Sequence, residues 1–481
     1  MKNSLFERLR ELSASDFYPF HMPGHKRQHM PELPVTELDI TEIDGFDNLY
    51  TADGILKECM DLASEVFCSH RTYFGVNGST GNLLTAISAA FAPGQAVLVA
   101  RNCHKAVYHA IELRGLRPVY VYPRIKEDYD VCLGIGVDEV KAVWEAYMNS
   151  PEGKKHPIAG MILTSPTYEG FLSDVKEIAS FLHQKEGLLI VDEAHGAHLG
   201  FHSAFPQGAV LSGADLVIQS IHKTLPAMTQ TSLLHLCSGR ISQKSIEKYF
   251  GMYQTSSPSY IMMMSIDTCV RILKENAEEL FEAYANRLTQ FYNGVQSLHV
   301  LKVIPEEQKD NGKIVIYLPS DIDAQEVYHK LRETYHLQPE MCGLHHVLMM
   351  TSIYDTDDGF KRLREALCEM DAEYTINRTG RKEAERISLW KNRPEQSMLP
   401  CEAVGKECRL LAFEACAGYV SAEYMYLYPP GIPFLVPGEH IPDNLPEMLV
   451  SLRARGYRTE GFREPDGIYT VVGTETTGHR V

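Results

Sequence analysis

The chain of 481 residues contains no apolar run approaching the roughly 20 residues that a membrane span requires. It also lacks any Cys-x-x-Cys pair. Its 11 cysteines are scattered and odd in number, which points to reduced thiols and away from a disulfide framework or a zinc site. Basic charge is short: 46 Lys and Arg stand against 63 Asp and Glu, a net charge of −17. That balance disfavours nucleic acid or an anionic membrane as the main partner and weakly favours a cationic substrate. There is no Gly-x-Ser-x-Gly elbow of a serine hydrolase, no internal repeat and no low-complexity tract. The segment Met1–Arg10 is too charged for a signal peptide, so the expectation is a soluble, cytoplasmic protein. Length and composition, with 44% hydrophobic and 23% charged residues, suit a globular protein of two or three domains.

What the chain has is alternation. Leu5, Leu9 and Leu12 predict an amphipathic helix over 4–13, followed by a basic turn at Phe20–Arg27 and an irregular polar segment at Ile40–Tyr50. A helix over 54–67 leads to a strand at 72–76. Helices over 80–91, 104–114, 137–148 and 174–185 then alternate with strands at 96–99, 117–122, 158–164, 187–191 and 215–219. This pattern predicts an α/β fold with a mainly parallel sheet, whose ligand sits outside the carboxyl ends of the strands. A long helix is expected over 259–295. Strand 313–318, helix 324–335 and strand 346–353 predict a smaller α/β subdomain. The expected organisation is an N-terminal arm (1–50), a large domain (51–300), the subdomain (301–375), a basic connector (376–398) and a C-terminal α+β domain (399–481) with a frayed tail from Gly473.

Three motifs fall at the ends of these elements. Asn77-Gly78-Ser79-Thr80 opens a helix, and Asp192-Glu193-Ala194-His195-Gly196-Ala197-His198 closes a strand. Ser220-Ile221-His222-Lys223-Thr224 closes another strand, with Lys223 placed 31 positions after Asp192. Each alone has an ordinary reading as a turn, a helix cap or a surface lysine. Asp192, His195 and His198 also admit a metal reading, but no zincin helix pattern surrounds them and no metal is expected. In this order the three motifs meet the needs of pyridoxal 5'-phosphate (PLP). A helix N-terminus with hydroxyls holds a phosphate, a carboxylate holds a protonated pyridine nitrogen, and a lysine forms the Schiff base.

Further stretches carry a resemblance: Phe20–Lys26, Arg101-Asn102-Cys103-His104-Lys105, Ser165–Gly170, Thr255–Tyr260, Tyr428–Pro433 and Val436–Glu439. With the three motifs they resemble the Orn/Lys/Arg decarboxylase family, PLP enzymes of the aspartate aminotransferase fold (fold type I), in a short bacterial form without the N-terminal wing domain. The resemblance covers nearly the whole length and implies a seven-stranded-type sheet in the large domain. It implies that Lys223 carries the cofactor and that Asp192 pairs with the pyridine nitrogen. Ser79, Thr80, Ser220 and His222 would bind the phosphate, with Asn77 and Gly78 beside them. His104 would stack on the cofactor opposite Lys223, His195 would sit near the ring hydroxyl, and Ala194 would be among the cofactor-binding residues. The implied catalytic set is Lys223, Asp192 and His104.

Ser256 and Ser257 would reach the partner's phosphate in a homodimer or higher homo-oligomer with shared active sites. The implied reaction is decarboxylation of a basic amino acid, arginine or lysine before ornithine, to agmatine, cadaverine or putrescine and carbon dioxide. Transamination or elimination on the same fold is the rival reading, and a non-enzymatic PLP-binding regulator a more distant one. No spacing identifies the residues that read the substrate's distal cation; Asp44, Asp47 and Glu423 are candidates, with a solvated or capping role as the alternative for each. Borohydride reduction of the cofactor-loaded protein should label Lys223 and no other lysine, read by peptide mass spectrometry. Lys223→Ala should lose the visible absorbance.

Overall fold

Short apolar runs become the two-sided core of a seven-stranded sheet. The computed structural model describes residues 47–377, 388–390, 392–428 and 431–474, together with Asp16, residues 18–20 and Glu42. The strands are β1 (Arg71–Gly75), β2 (Ala96–Ala100), β3 (Arg117–Val121), β4 (Ile158–Thr164), β5 (Leu188–Asp192), β6 (Leu216–Gln219) and β7 (Ser232–Leu236). They lie in the order β1-β7-β6-β5-β4-β2-β3. All neighbours from β6 to β3 are parallel, whereas β7 runs antiparallel to both β1 and β6. Every residue of β2 and β6 is buried, as strands covered on both faces must be.

Strand β7 is missing from the sequence expectation because His235 interrupts its apolar pattern. The structure buries that histidine with both ring nitrogens satisfied, 2.9 Å from Thr72 Oγ1 and 3.0 Å from Gln219 Oε1. Burial pushes its pKa down to about 3, so the ring sits in the core as a neutral polar link between three strands.

The crossovers are helical, as the alternation predicts. They include α1 (Ile55–Val66), α2 (Gly78–Ala90), α3 (Lys105–Arg114), α4 (Val137–Asn149) and α5 (Val175–Gln184). Asp47 serves α1 from outside the helix: its Oδ2 accepts from the N–H groups of Gly54, Leu56 and Lys57. After β7 come α6 (Gln243–Tyr253) and the 35-residue α7 (Tyr260–Gly294), which begins where the Ser259 hydroxyl accepts from Met262 N.

Beyond α7, β8 (Lys313–Tyr317), β9 (Met341–Cys342) and β10 (His346–Met350) form a small sheet in the order β8-β10-β9, antiparallel throughout. Helix α8 (Ala324–Glu333) matches the expectation over 324–335, but α9 (Asp357–Asn377) was not foreseen and runs past the expected start of the connector at 376. Its acidic surface dilutes the apolar period from which a helix is read. In the C-terminal segment β11 (Cys408–Ala412) pairs with a later strand, Gly467–Val471, and β12 (Met425–Leu427) lies between β13 (Pro433–Leu435) and Thr459–Glu460. The expected helix over 4–13, the turn at His21–Arg27, Asp44, Pro429-Pro430, residues 378–387 and 391 of the connector and the last seven residues lie outside the described residues. Among the described residues no helix is long and apolar enough to cross a membrane.

One ion pair joins the large sheet to the C-terminal segment. Arg101 follows β2 and is 2% exposed, and Glu439 is fully buried. The Arg101 Nη2 donates to both Glu439 oxygens, at 3.3 and 3.0 Å, while Nη1 donates to Tyr108 Oη at 3.1 Å and to the Pro433 carbonyl. Val436 N donates to Glu439 Oε2 at 2.9 Å. Breaking a buried pair from one side strands a charge, at a cost of about 3–5 kcal/mol. Glu439→Ala should therefore lower unfolding free energy by about that much in a urea titration, and adding Arg101→Met should recover part of the loss.

Candidate active site

The carboxyl ends of β1, β2, β4, β5 and β6 face the same edge of the sheet. The segments that follow them line one cavity of about 380 Å³. After β1 the chain turns into α2 at Gly78, whose φ of +67° suits a residue without Cβ. Ser79 Oγ meets Ser220 Oγ, from the end of β6, at 2.6 Å. Thr80 and His222 line the same end of the cavity wall, and His222 Nδ1–H donates to the Thr231 carbonyl at 2.7 Å. Hydroxyls gathered at the N-terminus of a 13-residue helix make a site suited to an anion. Asn77 instead donates from Nδ2 to the Tyr253 carbonyl at 2.9 Å and is not among the lining residues. It ties α2 to α6.

Asp192 closes β5, and Ala194 N donates to its Oδ1 at 3.2 Å. Burial raises the Asp192 pKa, while the Lys223 charge opposes it. A single helical turn, Ile221–Thr224, carries Lys223 past the end of β6. Its Nζ lies 2.9 Å from His195 Nε2 and 5.9 Å from the centre of the Tyr168 ring. Burial pushes the Lys223 pKa down, against the charges of Asp192 and Glu340. Burial and then Lys223 hold His195 well below the usual histidine range. Tyr168 packs on His195 with ring centres 4.3 Å apart and donates from Oη to Glu340 Oε1 at 2.7 Å.

After β2, His104 is the N-cap of α3, with its Nδ1 accepting from Ala106 N at 3.2 Å. Burial, then the charge of Lys223, pushes its pKa down to about 3, so the ring is neutral with its proton on Nε2. The C-terminal segment sits directly against it. Lys105 N donates to the Gly431 carbonyl at 3.0 Å, and a Cβ on Gly431 would stand 3.4 Å from His104 Nε2. Leu427, Tyr428, Ile432 and Phe434 complete this wall.

The motifs thus converge on one cavity: Gly78, Ser79, Thr80, His104, Asp192, Ala194, His195, Ser220, His222 and Lys223 all line it. Other calls land elsewhere. Ser256 and Ser257 are exposed and do not line the cavity of their own chain. Asp47 is the α1 cap described above. Glu423 accepts from Arg463 N at 3.0 Å and Tyr469 N at 2.8 Å, so it is a buried brace of the C-terminal segment. His198 pairs with Asp310 at 3.2 Å and is not among the lining residues. Sequence reasoning missed Glu340, His346 and Trp390, which line the cavity from the small sheet and, for Trp390, from the expected connector itself. They belong to no strand end of the large sheet and carry no local signal. Glu169 was seen only as part of a motif. It lines the cavity with its carboxyl pushed up to about 7 by burial, 3.8 Å from His346 Nε2.

Two family models match: Orn/Lys/Arg decarboxylase, major domain, over residues 3–341, and Orn/Lys/Arg decarboxylase, C-terminal domain, over residues 383–478. The chain belongs to the Orn/Lys/Arg decarboxylase family. As a member it is an amino-acid decarboxylase, a carboxy-lyase. It is 31% identical over 444 residues to an arginine decarboxylase of Halalkalibacterium halodurans, covering 88% of each chain. It is 23% identical over 582 aligned positions to the inducible lysine decarboxylase of Escherichia coli, covering 98% of this chain and 80% of that protein. The crystal structure of the Francisella novicida lysine decarboxylase LdcF shares the fold, with a TM-score of 0.74 and 20% identity over 88% of this chain and 72% of that one. The family and its fold neighbours are PLP-dependent enzymes.

Gly431 has a φ of +80°, which any other residue adopts at a cost. Gly431→Ala should lose about 1–2 kcal/mol of stability in a urea titration and lower turnover, because the wall against His104 must shift.

Proposed function

We propose that the chain binds PLP in this cavity and decarboxylates arginine to agmatine and carbon dioxide, with lysine as the second substrate to test. The carrying observation is the buried amine of Lys223, 2.9 Å from His195, in the same cavity as the Asp192 carboxylate and the Ser79–Ser220 hydroxyl pair. The donor set suits the cofactor. Ser79, Thr80, Ser220, His222 and the first N–H groups of α2 would hold the phosphate. Asp192 is a buried carboxylate whose pKa burial raises, and a protonated pyridine nitrogen would offset that cost. His104 presents a neutral flat ring, and His195 stands beside Lys223.

Bound there, the cofactor would supply an electron sink for the bond that leaves with carbon dioxide. The chain's own groups do the rest. Asp192 stabilises a proton on the ring nitrogen. Leu427, Ile432, Phe434 and Trp390 exclude water. Lys223, backed by His195, is placed to return a proton to the substrate's Cα. For arginine over lysine, the support is the higher identity to the relative named for arginine. The acidic lining residues Glu169 and Glu340 suit a cationic side chain of either kind.

The exposed Ser256-Ser257 turn, just ahead of α7, is read as the partner's contribution to the phosphate site in a homodimer. Mixing inactive Lys223→Ala with a Ser256→Ala/Ser257→Ala variant should restore one intact site in mixed dimers. Activity well above both parents is expected once subunits exchange; no recovery would mean that each chain builds its own site.

Incubation with arginine, lysine and ornithine, with amines identified by mass, should give agmatine at the highest kcat/KM. Release of a keto acid without carbon dioxide would overturn decarboxylation. Asp192→Asn should keep PLP absorbance yet lose on the order of 10²–10³-fold in kcat; turnover near that of the unaltered enzyme would show that another group holds the ring proton.

A further inference from the structure

His195 has a second basic neighbour on its other ring nitrogen. Lys313 is the first residue of β8 and is 1% exposed. Its Nζ lies 3.4 Å from His195 Nδ1, while His195 Nε2 lies 2.9 Å from Lys223 Nζ. Two lysines and a histidine therefore form a row that starts in the small sheet and ends in the cavity.

The charges around the row fix its polarity. His195 faces Lys223, Lys313, His104 and His222. Lys223 also faces Asp192 and Glu340. Lys313 faces Asp310, which His198 and Lys309 also serve. Although burial opposes it, His198, Lys313 and Lys309 hold the Asp310 carboxyl down to about 2, so the field around Lys313 includes an anion. Lys309 in turn donates from Nζ to the Lys313 carbonyl at 2.5 Å.

An ammonium group has donors and no acceptor. Opposite a charged Lys313, His195 Nδ1 must accept, so the proton of the neutral imidazole sits on Nε2. That N–H must then donate to Lys223 Nζ, which can accept only as an amine with a free lone pair. We propose that Lys313 is a positioning residue: it fixes the Nε2–H tautomer of His195 and thereby holds Lys223 as the uncharged, nucleophilic amine. The inference rests on Lys223 being the residue that captures the cofactor's aldehyde, and it adds how that amine is kept ready. It also makes capture depend on the small sheet being docked against the large one.

The test uses the full chain freed of cofactor. Competitive acylation of Lys223, followed by peptide mass spectrometry across pH, reports its proton affinity without any turnover. Lys313→Met should move the midpoint to higher pH and slow acylation at neutral pH by roughly tenfold, the equivalent of one charge-assisted hydrogen bond. Lys313→Arg, still charged and donor-only, should keep the original midpoint. An unmoved midpoint in Lys313→Met overturns the proposal. In the unaltered protein, ¹⁵N-histidine NMR should show His195 protonated on Nε2, with the resonance identified by its loss in His195→Gln. An Nδ1–H resonance overturns the proposal whether or not Lys313→Met folds. Failure of PLP to link to Lys223 in the unaltered chain would instead overturn the reading of Lys223 itself.

Discussion

The buried contact between Arg101 and Glu439 is the constraint on which the rest of the site depends. Arg101 stands three residues ahead of His104, and its guanidinium holds both the Pro433 carbonyl and the Glu439 carboxylate. The strand end that aims His104 and the segment that walls the cavity are thus pinned by one side chain. Taking both charges out of water is expensive, and the multiple hydrogen bonds are what make it tolerable. A hydrophobic replacement could match its stability but could not register a carbonyl and a carboxylate at once.

Burial also sets the charge state of the cavity. His104 and His195 are both pushed far below the usual histidine range, burial first and neighbouring cations second. Asp192 is pushed the other way for the same first reason. The enclosed site therefore holds neutral rings beside a carboxylate whose charge burial disfavours. Such a site favours a ligand that brings a protonated nitrogen to the carboxylate and an anionic group to the hydroxyls.

The large sheet was legible because its parallel strands are unbroken apolar runs with turn chemistry at their ends. The same ends carry the residues that converge, so Lys223, Asp192 and Ser79 could be read together from one dimension. What escaped has physical reasons. His235 masked β7 because a core histidine with both nitrogens satisfied looks polar in sequence. Asp47 and Glu423 looked like free acids because backbone N–H partners leave no trace in side-chain composition. Lys313 and Glu340 arrive from the small sheet, more than a hundred positions from the strands they serve, and no local pattern announces such a meeting.

The wall built on Gly431 and Phe434 has a consequence for biosynthesis. A ribosome delivers the chain from its N-terminus, and domains fold largely as they emerge. Strands β1 to β7 and Lys223 are complete while that wall is still inside the exit tunnel or untranslated. For that interval the nascent protein carries a cleft open to small molecules on one side. Closure comes only when Glu439 reaches Arg101, so the timing of the C-terminal segment's synthesis decides when the cleft is sealed.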